Sequence, residues 1–107
     1  MSNFVSYVER VGSLPDKQFK ATLFQSGRLM LGLNCLEPGQ AQHAHEHHDQ
    51  DKFYFVVEGT GEFDVGGESR SAGEGMVVWA PSGVMHGVTN TGSERLVLLV
   101  GIAPFPA

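Results

Sequence analysis

Gly75-Met76-Val77-Val78-Trp79-Ala80-Pro81-Ser82-Gly83-Val84-Met85-His86-Gly87-Val88-Thr89-Asn90 is two short apolar runs hinged on a Pro-Ser-Gly turn. Proline presets one backbone angle of such a turn and glycine supplies the conformation that other residues resist. Runs of this length, rich in Val and bounded by turn residues, read as β-strands over Met76–Ala80 and Val84–Asn90. In the second run Val84, His86 and Val88 share one face, because side chains alternate along a strand. A histidine on an apolar face is a polar group directed at a core.

The same grammar extends outward in both directions. Fourteen glycines punctuate a chain of 107 residues, and the segments between them are rich in Val, Leu, Phe and Tyr. Further strands are predicted at Phe19–Gln25, Arg28–Leu36, His43–His47, Lys52–Glu58, Gly61–Val65, Glu68–Ser71 and Arg95–Ile102. Ser26-Gly27 joins the first pair as a tight turn, and Gly66-Gly67 has the composition of a two-residue hairpin. Leu29, Leu31, Leu33 and Cys35 fall at one parity. Leu96–Val100 is apolar at both parities, so it needs cover on two sides, from its own barrel and from a second subunit. Phe53–Val57 is also apolar on both faces, one for the core and one for a pocket. No helical periodicity of any length is present. These counts predict an all-β chain folded as an antiparallel sandwich or small barrel. One domain spans residues 1–107, with 1–18 an N-terminal arm or edge strand.

Composition narrows the partners. The chain is 41% hydrophobic and 18% charged, with a formal net charge of -5. An acidic balance disfavours nucleic acid and anionic membrane surfaces, which call for a basic face. No apolar run approaches the ~20 residues that span a bilayer, and no signal-peptide pattern opens the chain. The single cysteine, Cys35, has no internal disulfide partner. Its parity with three leucines reads as a small buried hydrophobe rather than a nucleophile. The expected location is the cytoplasm.

All five histidines fall in two blocks: His43, His45, His47 and His48 in the first, and His86 in the second. Imidazole is the commonest protein ligand for transition metals. In a strand, residues two apart point to one side about 7 Å apart, so His45 with His47, or His43 with His45, can lean onto one ion. His86 must come from a distant strand for the site to close. Three histidines leave coordination positions open, as catalytic metals require.

Taken together, the two blocks resemble the signature motifs of the cupin superfamily. The first motif has the form G-x5-H-x-H-x(3 to 4)-E-x6-G, and Gly39, His45, His47 and Gly59 occupy its places. The second has the form G-x5-P-x-G-x2-H-x3-N, and Gly75, Pro81, Gly83, His86 and Asn90 match it throughout. Fifteen residues lie between Gly59 and Gly75, which is similar to small single-domain microbial cupins. The resemblance covers about Leu29 to Ala103. It implies a jelly roll, or double-stranded β-helix, with a divalent metal ion (Fe, Mn, Ni, Co, Cu or Zn) near one mouth, and a homodimer.

Lys52 departs from that pattern. It stands seven residues before Gly59, where the motif offers a glutamate. A protonated amine cannot coordinate and it repels a cation. Four readings stay open. Asp51 turns inward through a bulge as an oxygen ligand. His43 or His48 supplies a further nitrogen. Lys52 faces the pocket and meets an anionic substrate. Or the histidines are polar pocket groups without metal. His48 reads as surface, and His43 fits either role. Gly39, Gly59, Gly75 and Gly83 read as positive-φ turn positions, Pro81 and Asn90 as turn-shaping residues, and Trp79, Met85, Met30 and Met76 as packing. Glu58 is the remaining charged residue near the motif and reads as solvent-facing.

The site predicted from the sequence is therefore His45, His47 and His86, with His43 as a fourth candidate ligand and Lys52 or Asp51 completing the inner shell. The predicted activity is metal-dependent chemistry of the dioxygenase, isomerase or lyase kind on a small polar or anionic molecule. The alternative is a binding or sensor module without turnover.

Overall fold

The computed structural model describes residues 2–46 and 48–105. It contains nine strands: β1 (Phe19–Gln25), β2 (Met30–Leu36), β3 (Ala41–His45), β4 (Asp51–Glu58), β5 (Thr60–Val65), β6 (Glu68–Gly73), β7 (Val77–Ala80), β8 (His86–Thr89) and β9 (Leu96–Ala103). They form a five-stranded sheet in the order β1-β2-β9-β4-β7 and a four-stranded sheet in the order β3-β8-β5-β6. Every pairing is antiparallel. The architecture is an antiparallel jelly roll, as the turn-punctuated sequence predicts.

Alternation along the strands assigns the two faces. Leu36, Tyr54, Val56, Phe63, Ala72, Ala80, Val88, Leu96, Leu98 and Val100 fill the space between the sheets. The opposite parity of β2 and β9 carries Leu33, Cys35 and Val97, which pack with Tyr7, Val11, Phe19 and Leu23. Cys35 is thus a core residue of this outer cluster, and burial pushes its thiol up. The second cover over β9 comes from the N-terminal segment of the same chain.

That segment forms no strand among the described residues and packs against its own chain. It makes one 3-10 turn at Tyr7–Glu9 and is tied down by side-chain bonds. The Tyr7 hydroxyl donates to Glu58 Oε2 at 2.8 Å, and Arg10 Nη2 donates to the Thr22 carbonyl at 2.9 Å. Gln40 Nε2 donates to the Leu14 carbonyl at 2.8 Å. Glu58 also pairs with Arg95 at 3.6 Å, so it anchors the segment rather than facing solvent alone.

The motif residues do the turning expected of them. Gly39, Gly59, Gly75 and Gly83 have φ of 88, 86, 88 and 77°. Asn90 is 1% exposed and uses its whole amide. Its Nδ2 donates to the carbonyls of Leu36 and Glu94, and its Oδ1 accepts from Gly92 N–H. It therefore joins the ends of β2 and β8 to the turn before β9. Met76 packs on the core, but Trp79 and Met85 are exposed. Trp79 shares the outer face of β7 with exposed Val77, because Val78 and Ala80 take the inward parity of that strand.

Candidate metal centre

β3 begins and ends two residues earlier than the sequence predicts, and it carries a bulge. Its register against β8 shifts between Gln42 and His45. A bulge inserts an extra residue and reverses the alternation beyond it. Gln42 is accordingly buried and His45 half-buried, while His43 and Ala44 between them are exposed. The bulge needs a close approach to β8 at Gly87. A Cβ there would lie 2.9 Å from the Gln42 carbonyl oxygen and 3.0 Å from Ala44 N. Any larger residue would push β3 away.

The result places His45 directly across from His86 in the ladder. Their ring centroids are 4.4 Å apart, tilted by 58°. Each ring is oriented by a backbone carbonyl: His45 Nδ1 bonds to His43 O at 2.8 Å, and His86 Nδ1 bonds to Val84 O at 3.0 Å. A carbonyl only accepts, so each Nδ1 carries the proton, and in the neutral ring the lone pair is on Nε2. Metal-ligating histidines are held by their second nitrogen in this way. These two residues fit a transition metal in donor type, tautomer and proximity. Among the described residues no third His, Cys, Asp or Glu joins them in a ligand group. His47, the third histidine of the motif, lies outside the described residues.

The other candidates are dispersed. His43 is exposed and lines a shallow groove with Glu62 and Asp64; its contribution to the pair is its backbone carbonyl. His48 is exposed and lies 3.7 Å from Glu46, in keeping with a surface role. Asp51 is exposed on β4, and its Oδ1 accepts from Ser82 N–H at 3.0 Å. The β4–β9 ladder is regular from Asp51 to Val56, so no bulge turns Asp51 inward. It shapes the turn before β8 instead.

Lys52 takes the inward parity and is 4% exposed. Its Nζ lies 4.7 Å from the centre of the Tyr54 ring and 3.4 Å from Gln42 Oε1. The Tyr54 hydroxyl donates to the same Gln42 oxygen. Tyr54 in turn stands edge-on to His86, with centroids 6.2 Å apart. Burial, then the charge of Lys20, pushes the Lys52 amine down to about 8, and burial pushes the Tyr54 phenol up. Among the described residues the ion pairs are His48–Glu46 and Arg95–Glu58, and neither involves Lys52.

Sequence reasoning missed Gln42 and Tyr54. Tyr54 was accessible, since it stands two residues from Lys52 on one strand face. Gln42 was not, because simple alternation sets it opposite His45 and only the bulge brings the two to one side.

Comparison with known proteins bears on the family and the fold. The family model described as Cupin domain matches residues 32–102. An uncharacterized protein of Streptomyces coelicolor is 34% identical over 76 residues, covering 71% of each chain. A crystal structure of a Thermus thermophilus protein superposes with a TM-score of 0.94 at 37% identity, covering 98% of this chain and 100% of that one. A predicted oxalate decarboxylase from Thermotoga maritima superposes with a TM-score of 0.75 at 26% identity, covering 78% and 77%.

Proposed function

The chain belongs to the cupin family, and on that premise we propose that it is a metal-dependent protein acting on a small polar or anionic molecule at the mouth of the barrel. His45, His47 and His86 would hold a divalent transition ion. The observation that carries this reading is the His45–His86 pair: two rings from remote stretches, 4.4 Å apart, both anchored through Nδ1. A bound ion would supply Lewis acidity or, if redox active, electron-transfer and oxygen chemistry. The chain's own residues supply orientation, through the carbonyls of His43 and Val84, and a positive wall, through Lys52. The Thermotoga maritima relative, described as a predicted oxalate decarboxylase, supports the enzyme reading and a small acid as substrate.

Lys52 favours a second reading, a ligand-binding module without turnover. Where the family motif offers a carboxylate, this chain offers an ammonium, so that candidate metal ligand is missing. The two separate on metal-loaded protein offered small diketones, catechols and carboxylic acids. Oxygen uptake or product formation that His86→Ala abolishes establishes the enzyme. Ligand binding with no turnover across that panel establishes the module. A homodimer belongs to the same proposal, with exposed Val77 and Trp79 beside half-buried Phe53 and Phe55 as the face for a second copy.

A further inference from the structure

A lysine ammonium has three N–H donors and loses its hydration when buried. Lys52 is 4% exposed, and the described residues offer it one hydrogen-bonding oxygen, Gln42 Oε1, at 3.4 Å. Charge-assisted bonds from nitrogen to oxygen are usually about 2.7–2.9 Å long. That oxygen is shared, because the Tyr54 hydroxyl donates to it as well. The face of Tyr54 gives the charge a second, weaker neighbour. Lys20 lies near enough for its charge to disfavour the Lys52 ammonium. The interior therefore holds a cation that its protein surroundings solvate poorly and no described carboxylate neutralises. It lies beside Tyr54, which also borders His86.

We infer that Lys52, seated between Gln42 and Tyr54, is the anion-receiving half of the site and takes the carboxylate of a small organic acid. A carboxylate supplies both the missing counter-charge and short acceptor oxygens. The inference deepens the proposed function in one respect that rests on it. Neutral imidazoles such as those of His45 and His86 would leave a divalent ion's charge uncompensated, and Lys52 adds another positive charge nearby. Anion and metal then favour each other's binding, and the coupling is reciprocal.

The test is calorimetric titration of malonate, a compact dicarboxylate, into metal-free and Co2+-loaded full-length protein. Malonamide, similar in shape and uncharged, is the control. Malonate should bind the metal-free chain, with malonamide silent and Lys52→Met weakened about tenfold or more. Cobalt should tighten malonate binding to the wild type by about five- to 100-fold, the usual range of coupling between sites. Lys52→Met removes a buried charge and should fold, which its melting curve checks. Lys20→Met is a second probe, and it should show a smaller loss of malonate affinity. Equal malonate affinity in wild type and Lys52→Met, or equal binding of malonamide, overturns the inference. If neither chain takes up cobalt but malonate binding still depends on Lys52, the anion site stands and the metal centre falls.

Discussion

Burying Lys52 carries a cost that depends on pH. Its amine is pushed from 10.5 to about 8, first by burial and then by Lys20. Between those values the unfolded chain holds a proton that the folded chain lacks, so this group makes stability rise with pH from about 8 to about 10.5. Below about 8 the penalty is fully present, at roughly 3 kcal/mol. Lys52→Met should therefore be more stable than wild type at pH 7, with the gap closing as pH climbs through that window. Urea unfolding at several pH values measures the gap, and a pH-independent gap contradicts the assignment. The departure at Lys52 was legible in the sequence, and so was an inward-facing lysine among its readings. Its neighbour Gln42 was not, because nothing in Gln42-His43-Ala44-His45 announces the bulge.

At the scale of elements, the site depends on how β3 meets β8. Gly87 allows the bulged strand to lie close, and the bulge turns Gln42 and His45 to one side. Gly87→Val would drive a side chain into the Gln42 carbonyl and the Ala44 amide. Overpacking of this kind costs about 1–3 kcal/mol and here should also separate His45 from His86. The expected outcome is a lowered melting temperature together with weakened cobalt binding. Unchanged cobalt affinity in a folded variant would show that the β3–β8 contact does not position the pair. Strand and turn positions were largely legible, since glycine, proline and period-two alternation are local signals; the order of strands within each sheet was not, because it rests on long-range crossovers. The Ser26-Gly27 and Gly66-Gly67 turns join the strands they were expected to join. The 3-10 turn at Tyr7–Glu9 was illegible because its tether is long-range, through Glu58 and Thr22.

The whole molecule shows two kinds of apolar surface. The outer face of β2 and β9 is covered by the chain's own first residues, which answers the two-sided hydrophobicity of Leu96–Val100. The outer face of β7 is left open: Val77 is 63% exposed and Trp79 55%. If a second copy covers it, the mass in solution is twice 11.6 kDa and Trp79→Glu lowers it to that of one chain. Light scattering on both proteins decides, and a wild-type monomer contradicts the homodimer. No helix among the described residues is long and apolar enough to cross a membrane.

The sequence motifs pointed to His86 meeting the first histidine block, and His45 and His86 do meet. What those rings hold is decided by elemental analysis of untagged protein purified without chelator. About one transition-metal ion per chain is expected, as three imidazoles with open positions would bind, with its loss in the His45→Ala, His86→Ala double variant. Trace metal at a level the double variant leaves unchanged would contradict it.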